Sequence, residues 1–195
     1  MGHSRAEKAE SRERILDAAA QQIREEGLES ISIAELMKAA NLTHGGFYGH
    51  FPSRTALIAA ALDRALDRGE AAFVAAQPNE GGGTVKSIVN RYLSPAHRDN
   101  AGGGCAISAL AGDVGRAENG EVRGRMVERL EGNFEGMAEA MGAGLEAEEA
   151  AISAWCTMVG AIALSRVFRG TDRSDEILQL ARRSILNLES RVRET

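Results

Sequence analysis

The chain is poor in the residues that build small cross-linked or strand-rich proteins. It holds two cysteines in 195 residues, Cys105 and Cys156, far apart and in no C-x-x-C spacing. Neither a disulfide framework nor a structural zinc site is therefore expected. Proline occurs three times and aromatic residues make up 4% of the chain. No segment alternates apolar and polar residues at period two, so strands are not expected. No uninterrupted apolar run of about 18 residues is present to cross a bilayer. The residues from Met1 to Arg14 are polar and charged, unlike the apolar core of a secretory signal. A cytoplasmic protein with no membrane contact is expected. Asp99, Asp113 and Glu118 are scattered rather than set at ligand spacing, so no metal site and no cofactor is expected.

Charge excludes a bulk polycation, since the formal net charge is −5. The first 66 residues are balanced, with eight Lys/Arg against nine Asp/Glu. Yet no Asp or Glu stands between Glu35 and Asp63, a stretch that carries Lys38, His44, His50 and Arg54. A surface tolerant of phosphate can sit on an acidic protein in this way.

The same stretch has the strongest local pattern. Ser32 followed by Glu35 is a capping box, so a helix should start at Ile33. Ile33, Leu36, Met37 and Ala40 then fall on one apolar face. Asn41 ends the helix, because Asn tolerates the left-handed conformation of a tight turn. Thr43 stands where a second, short helix would be capped, running from His44 to about Gly49. Gly45, Gly46 and Gly49 each cost it roughly 1 kcal/mol relative to alanine. Packing through Leu42, Phe47 and Phe51 must hold it, which leaves Thr43, His44, Tyr48 and His50 pointing outward. Pro52 stops the element, and Ser53 caps a long helix through Leu57, Ile58 and Leu62. Helix, tight turn, short glycine-rich helix and stop is the helix-turn-helix arrangement, whose second helix enters the DNA major groove.

The surroundings are helical throughout. A first helix begins at Ser11, buries Ile15, Leu16, Ala19 and Ile23, and closes at Gly27; Lys8 and Arg12 read as a solvated charged end or as an arm toward phosphates. The long helix from Ser53 runs to about Ala76 until Pro78 and the run at 79–83 break it. Helical spacing resumes at Thr84 with Val85, Ile88, Val89 and Tyr92, then over 107–117, 122–141, 147–168 and 175–192. The fold class is all-α.

The residues A-E-L-M-K-A-A-N-L-T-H-G-G-F-Y-G-H-F-P-S-R-T-A-L, from Ala34 to Leu57, resemble the DNA-binding signature of TetR/AcrR-type transcriptional regulators. The likeness extends over roughly 11–62. Asn41 stands where the family usually has Gly, His44 where Lys or a small polar residue is common, and Arg54 where Lys is usual. The resemblance implies an N-terminal three-helix helix-turn-helix domain over 1–52, with the first turns of the connecting helix to about 62. A C-terminal helical effector-binding and dimerisation domain over 53–195 is implied with it. The implied function is a repressor on double-stranded DNA, held as a homodimer on a near-palindromic operator and released by a small hydrophobic ligand; the alternative is a DNA-binding regulator without a small-molecule effector. The candidate DNA-facing residues are Ser32, Thr43, His44, Gly45, Gly46, Tyr48, His50 and Arg54.

In the C-terminal half, Phe134, Met137, Trp155 and Met158 either form plain core or line an apolar pocket; the resemblance implies the pocket. The stretch Ala101-Gly102-Gly103-Gly104-Cys105 lacks the preceding strand and the Gly-Lys-Ser/Thr ending of a phosphate loop. Cys105 is a small core residue or, at a helix start where thiolate is favoured, a sensor of electrophiles or oxidants; it joins the ligand-binding candidates. A Cys105–His97 nucleophile would need a third orienting residue, and none accompanies it, so His97 reads as a surface loop residue and no catalytic residue is expected. Ala150, Ala151, Ala154, Gly160, Ala161 and Ala163 allow close approach of another helix, and Ile177, Leu178, Leu180, Ala181, Ile185 and Leu188 give the final helix a broad apolar stripe. These two helices pair within one chain or form the two-fold, four-helix interface of a homodimer.

Overall fold

The computed structural model describes residues 5–75, 84–118 and 120–194; the expected break at Pro78 and 79–83 lies outside them. Among the described residues the elements are helical and none is a strand. In order they are α1 (Arg5–Glu26), α2 (Ile33–Ala39), α3 (Arg54–Ala75), α4 (Val85–Tyr92), α5 (Pro95–Asp99), α6 (Ala106–Arg116), α7 (Gly120–Met141), α8 (Leu145–Val167) and α9 (Asp172–Glu194), with 3-10 turns at Leu28–Ser30 and His44–Gly49.

Two boundaries differ from the sequence pattern. Helix α1 starts at Arg5, not at Ser11, because Arg5 to Glu10 are all good helix formers and nothing stops them. Ser11 is buried inside the helix rather than capping it, and Lys8 and Arg12 ride on a helix rather than on a flexible arm. The short α5 was not anticipated, although its signal is in the chain: Pro95 sits in the first turn and Ser94 accepts the His97 N–H at 3.2 Å.

One apolar cluster runs without interruption from Ile15 in α1 to Ile185 in α9. Helix α3 ties its two ends together, packing on α1 on one side and on α6 and α7 on the other. Two strips of charge reinforce this. Arg64 pairs with Glu13 and Asp17, and Arg68 pairs with Asp17 at 2.6 Å, all toward α1. Asp63 pairs with Arg125, and Asp67 with Arg129 at 2.5 Å, toward α7. Each pair is partly solvated and worth little alone, but together they fix which turn of α3 meets which turn of its neighbours.

Helix α8 packs between α7 and α9. Its Ala147, Ala150, Ala151, Ala154 and Ala161 are buried, so part of the small-residue face is spent within the chain. Its other side leaves Ile152, Leu164 and Val167 exposed, with Leu180 exposed on α9. By length and composition α8 is apolar enough to cross a membrane, although Glu148, Glu149 and Arg166 interrupt its apolar run; its buried alanines pack within the chain.

Helix α6 reaches the N-terminal helices. The Asp113 carboxylate accepts the Leu28 N–H at 3.1 Å, just after α1 ends at Gly27. Gly27 has φ 92°, and a Cβ there would stand 2.5 Å from Asp113 Oδ2, so glycine is required both by backbone and by space. Gly27→Ala should destabilise the fold by about 1–3 kcal/mol and Asp113→Ala by about 1 kcal/mol. The double variant should lose less than the sum, because removing the carboxylate clears the space a Cβ needs. Strictly additive losses in urea unfolding would contradict this contact.

Candidate functional site

The exposed face of the N-terminal helices is built around Phe47. The Ser32 hydroxyl caps α2 by accepting the Glu35 N–H at 3.4 Å. Asn41 turns the chain with φ 58°. The segment His44–Gly49 is a 3-10 turn rather than the short α-helix expected, and the Thr43 side chain does not cap it; the Gly46 N–H bonds the Thr43 carbonyl at 3.0 Å instead. Three glycines in six residues give α-helix little support, and the tighter turn is the shorter route. Phe47 is 1% exposed and Phe51 2%, with their rings stacked 5.9 Å apart and the Arg12 guanidinium 5.0 Å above Phe51.

This anchoring pushes the other side chains outward. Tyr48 is 71% exposed, its ring edge-on to Phe47 at 5.2 Å. Thr43, His44 and Gly45 are exposed, while Gly46, His50 and Ser32 are half-buried. Arg54, expected on phosphates, is partly exposed and already engaged within the chain. Its guanidinium donates to the Ile31 carbonyl at 3.2 Å and the Glu29 carbonyl at 3.0 Å, and pairs with the Glu29 carboxylate at 3.3 Å. The strip without acids in sequence thus has a carboxylate beside it in space.

A second feature is a cavity of about 310 Å³ between α3, α4, α6, α7 and α8. Leu66, Tyr92, Cys105, Ile107 and Trp155 make much of its apolar wall, with Arg91, Asn100, Arg129 and Asn133 among its polar groups. Trp155 meets Tyr92 edge-on at 5.5 Å and donates its indole N–H to the Asn133 carbonyl at 2.9 Å. Of the five residues chosen as pocket candidates, Cys105 and Trp155 lie in this wall. Met137 and Met158 are fully buried core, Phe134 packs half-buried against that core, and none of the three lines the cavity. On α7 the cavity-facing pair is Arg129 and Asn133, one position out of phase with the apolar stripe that residue type had suggested.

His97 is not a surface loop residue. It lies half-buried on α5, its Nε2 accepting the Cys105 N–H at 3.0 Å and its Nδ1 2.6 Å from the Tyr92 carbonyl. An acceptor at Nε2 puts the proton on Nδ1, which donates to Tyr92. Burial lowers the His97 pKa, against the raising effect of the Tyr92 carbonyl. With its lone pair committed to a backbone amide, His97 is not set to deprotonate the Cys105 thiol. The glycine-rich loop spends the Gly103 N–H internally as well, on the Asn100 side chain at 3.0 Å. The Tyr92 hydroxyl is buried beside Cys105 and Ser108 without a hydrogen-bond partner of good geometry, and burial raises its pKa well above the ordinary range.

Residues 15–61 match the family described as bacterial regulatory proteins, tetR family. An uncharacterized HTH-type transcriptional regulator of Mycobacterium tuberculosis is 29% identical over 189 residues, covering 91% of this chain and 93% of its own. The N-terminal segment, residues 15–61, belongs to the tetR family. That segment is the DNA-binding, helix-turn-helix part of a transcriptional regulator of this kind. Solved structures agree at the level of fold: a TetR-family regulator from Cytophaga hutchinsonii superposes with a TM-score of 0.77 at 20% identity, covering 96% of this chain and 98% of that one. E. coli NemR in its reduced form gives 0.74 at 21% identity, covering 91% and 96%.

The His97 geometry sets a pH dependence for this tetR-family fold. Its folded-state pKa lies below the ordinary 6.5, so the unfolded chain binds the proton more tightly. Stability is fully present above about pH 6.5 and is lost as pH falls toward the lower folded value. The melting temperature should drop over that window, and His97→Gln should flatten this part of the profile. A wild-type profile that rises on acidification would contradict the neutral assignment.

Proposed function

We propose that the protein is a repressor that sits as a homodimer on a near-palindromic operator and leaves it when a small hydrophobic molecule enters the cavity. Residues 1–52, with α3 to about 62, form the DNA-binding part; residues 53–195 bind the effector and the second subunit. The observation that carries the DNA-binding assignment is the exposed row of Thr43, His44, Gly45 and Tyr48 propped outward by buried Phe47. These four face base edges or the adjoining sugar-phosphate chain, and Gly45 and Gly46 let the backbone come close to the duplex. Ser32, His50 and Arg54 meet phosphates, Arg54 by exchanging the Glu29 carboxylate for a phosphate oxygen.

Pairing through α8 and α9 is supported by the exposed Ile152, Leu164, Val167 and Leu180. It would set two such rows about 34–36 Å apart on successive major-groove faces. Helix α6 couples the halves: Cys105 to Ile107 at its start belong to the cavity wall, and Asp113 near its end holds the turn after α1. A ligand wedged at one end tilts the other. The protein acts by binding in the cytoplasm and catalyses no reaction. A second form of the signal is a covalent one at Cys105, favoured by a thiol that stands in the cavity wall at the start of a helix. In that case Cys105→Ser abolishes the response to electrophiles and leaves DNA binding intact.

Tyr48→Ala should weaken binding about tenfold or more at fixed salt, measured by mobility shift on a duplex that the intact protein selects from a random-sequence pool. Helical content should not change. Undiminished affinity would remove Tyr48 from the interface.

A further inference from the structure

We infer that the Glu29 carboxylate is a built-in competitor of DNA: it occupies on Arg54 the place a backbone phosphate takes, and so weakens binding to any duplex. This rests on the DNA-binding reading above and adds to it a residue that regulates the same surface.

Arg54 is held by contacts of two kinds. Its Nε donates to the Ile31 carbonyl at 3.2 Å and its Nη2 to the Glu29 carbonyl at 3.0 Å. Both acceptors are neutral main-chain groups of the turn that leads into Ser32, the cap of α2. They keep the guanidinium at the edge of the exposed face whatever becomes of its charge partner. The second kind is the ion pair, in which Nη1 and Nη2 reach the same Glu29 carboxylate oxygen at 3.4 and 3.3 Å. A guanidinium has five N–H donors in a fixed fork, and the carbonyls use two of them. The other three belong to Nη1 and Nη2, the nitrogens that the carboxylate approaches.

That carboxylate is loosely kept. The Glu29 side chain is 92% exposed and that of Arg54 38%. Among the described residues Glu29 pairs with no other cation. A solvated pair of this sort favours contact by about fivefold or less. Its two distances also exceed the roughly 2.7–2.9 Å of a strong charge-assisted bond. A phosphate oxygen offers the same charge and the same acceptor geometry, so it can replace the carboxylate while both carbonyl contacts stay in place. The exchange changes the charge that the surface presents. A closed Arg54–Glu29 pair is neutral and releases no counterion from a duplex, whereas Arg54 without its carboxylate brings one positive charge. Between Glu35 and Asp63 the other Lys or Arg is Lys38 alone, so masking Arg54 removes half of the permanent positive charge of that stretch.

The test uses the full-length protein on a mixed-sequence duplex and on a duplex that the protein selects from a random pool, with affinity followed from low to high salt. Glu29→Gln should bind both duplexes about threefold to fivefold tighter at low salt. Its plot of log affinity against log salt should be steeper by about 0.9 per subunit. In an Arg54→Gln background the same substitution should change affinity by less than about twofold. A carboxylate that only repels the duplex from a distance gives the same gain with or without Arg54, and equal gains overturn the proposal. So does a Glu29→Gln protein that binds no tighter and keeps its salt slope. Should Arg54→Gln fold poorly, Glu35→Gln replaces it as the control, because that carboxylate is exposed three residues from Ser32 and pairs with no described cation. A gain there as large as at Glu29 overturns the proposal. Failure of the unaltered protein to hold either duplex overturns this inference and the DNA-binding reading together, whereas duplex binding indifferent to Glu29 overturns this inference alone.

Discussion

Phe47 buries nearly its whole ring against Phe51 and the apolar side of α2, and with it goes the only strong reason for His44–Gly49 to hold a shape. Three glycines remove side-chain contacts and widen the unfolded ensemble, each by roughly 1 kcal/mol relative to alanine. Burial of one large aromatic ring is worth about 3–5 kcal/mol against its truncation, the same order as that combined penalty. The segment is therefore held from below rather than from within. That explains how a surface so rich in glycine keeps Tyr48 displayed at a fixed angle, resting edge-on against the ring that anchors it.

The features visible in the sequence were the ones with short-range causes. Ser32 and Glu35, Asn41 at its positive φ, Ser53 ahead of α3 and the Phe47/Phe51 pair all act within a few residues of themselves, so spacing reveals them. Those that escaped depend on partners far along the chain. Arg54 meets Glu29 across a folded turn, and Asp113 meets Leu28 across most of the N-terminal half. The cavity was anticipated from methionines and aromatics, but Met137, Met158 and Phe134 are of a type equally suited to filling a core. Only the phase of α7 against α8 decides that Asn133 and Trp155 face the open space. The start of α1 escaped for a different reason: good helix formers without a stop signal leave a boundary with no local mark.

Between the two sites, α6 is fastened by unlike contacts at its ends. Near Cys105 it is attached through a backbone amide to a neutral imidazole, which in turn holds the Tyr92 carbonyl. At Asp113 a carboxylate grips a backbone amide in a turn that only glycine can make. The first joint is itself part of the cavity wall, since Tyr92, His97 and Cys105 all line it, whereas the second is made by residues outside that wall.

The charged strips on α3 carry a further consequence. Asp63 and Asp67 face Arg125 and Arg129, while Arg64 and Arg68 face Glu13 and Asp17, every set repeating at an interval of one helical turn. A slide by a fraction of a turn parts both strips at once. A slide by a whole turn, about 5.4 Å, re-forms one partnership in each. The paired strips therefore act on the shared helix like a key in a keyway, discouraging it from settling between turns.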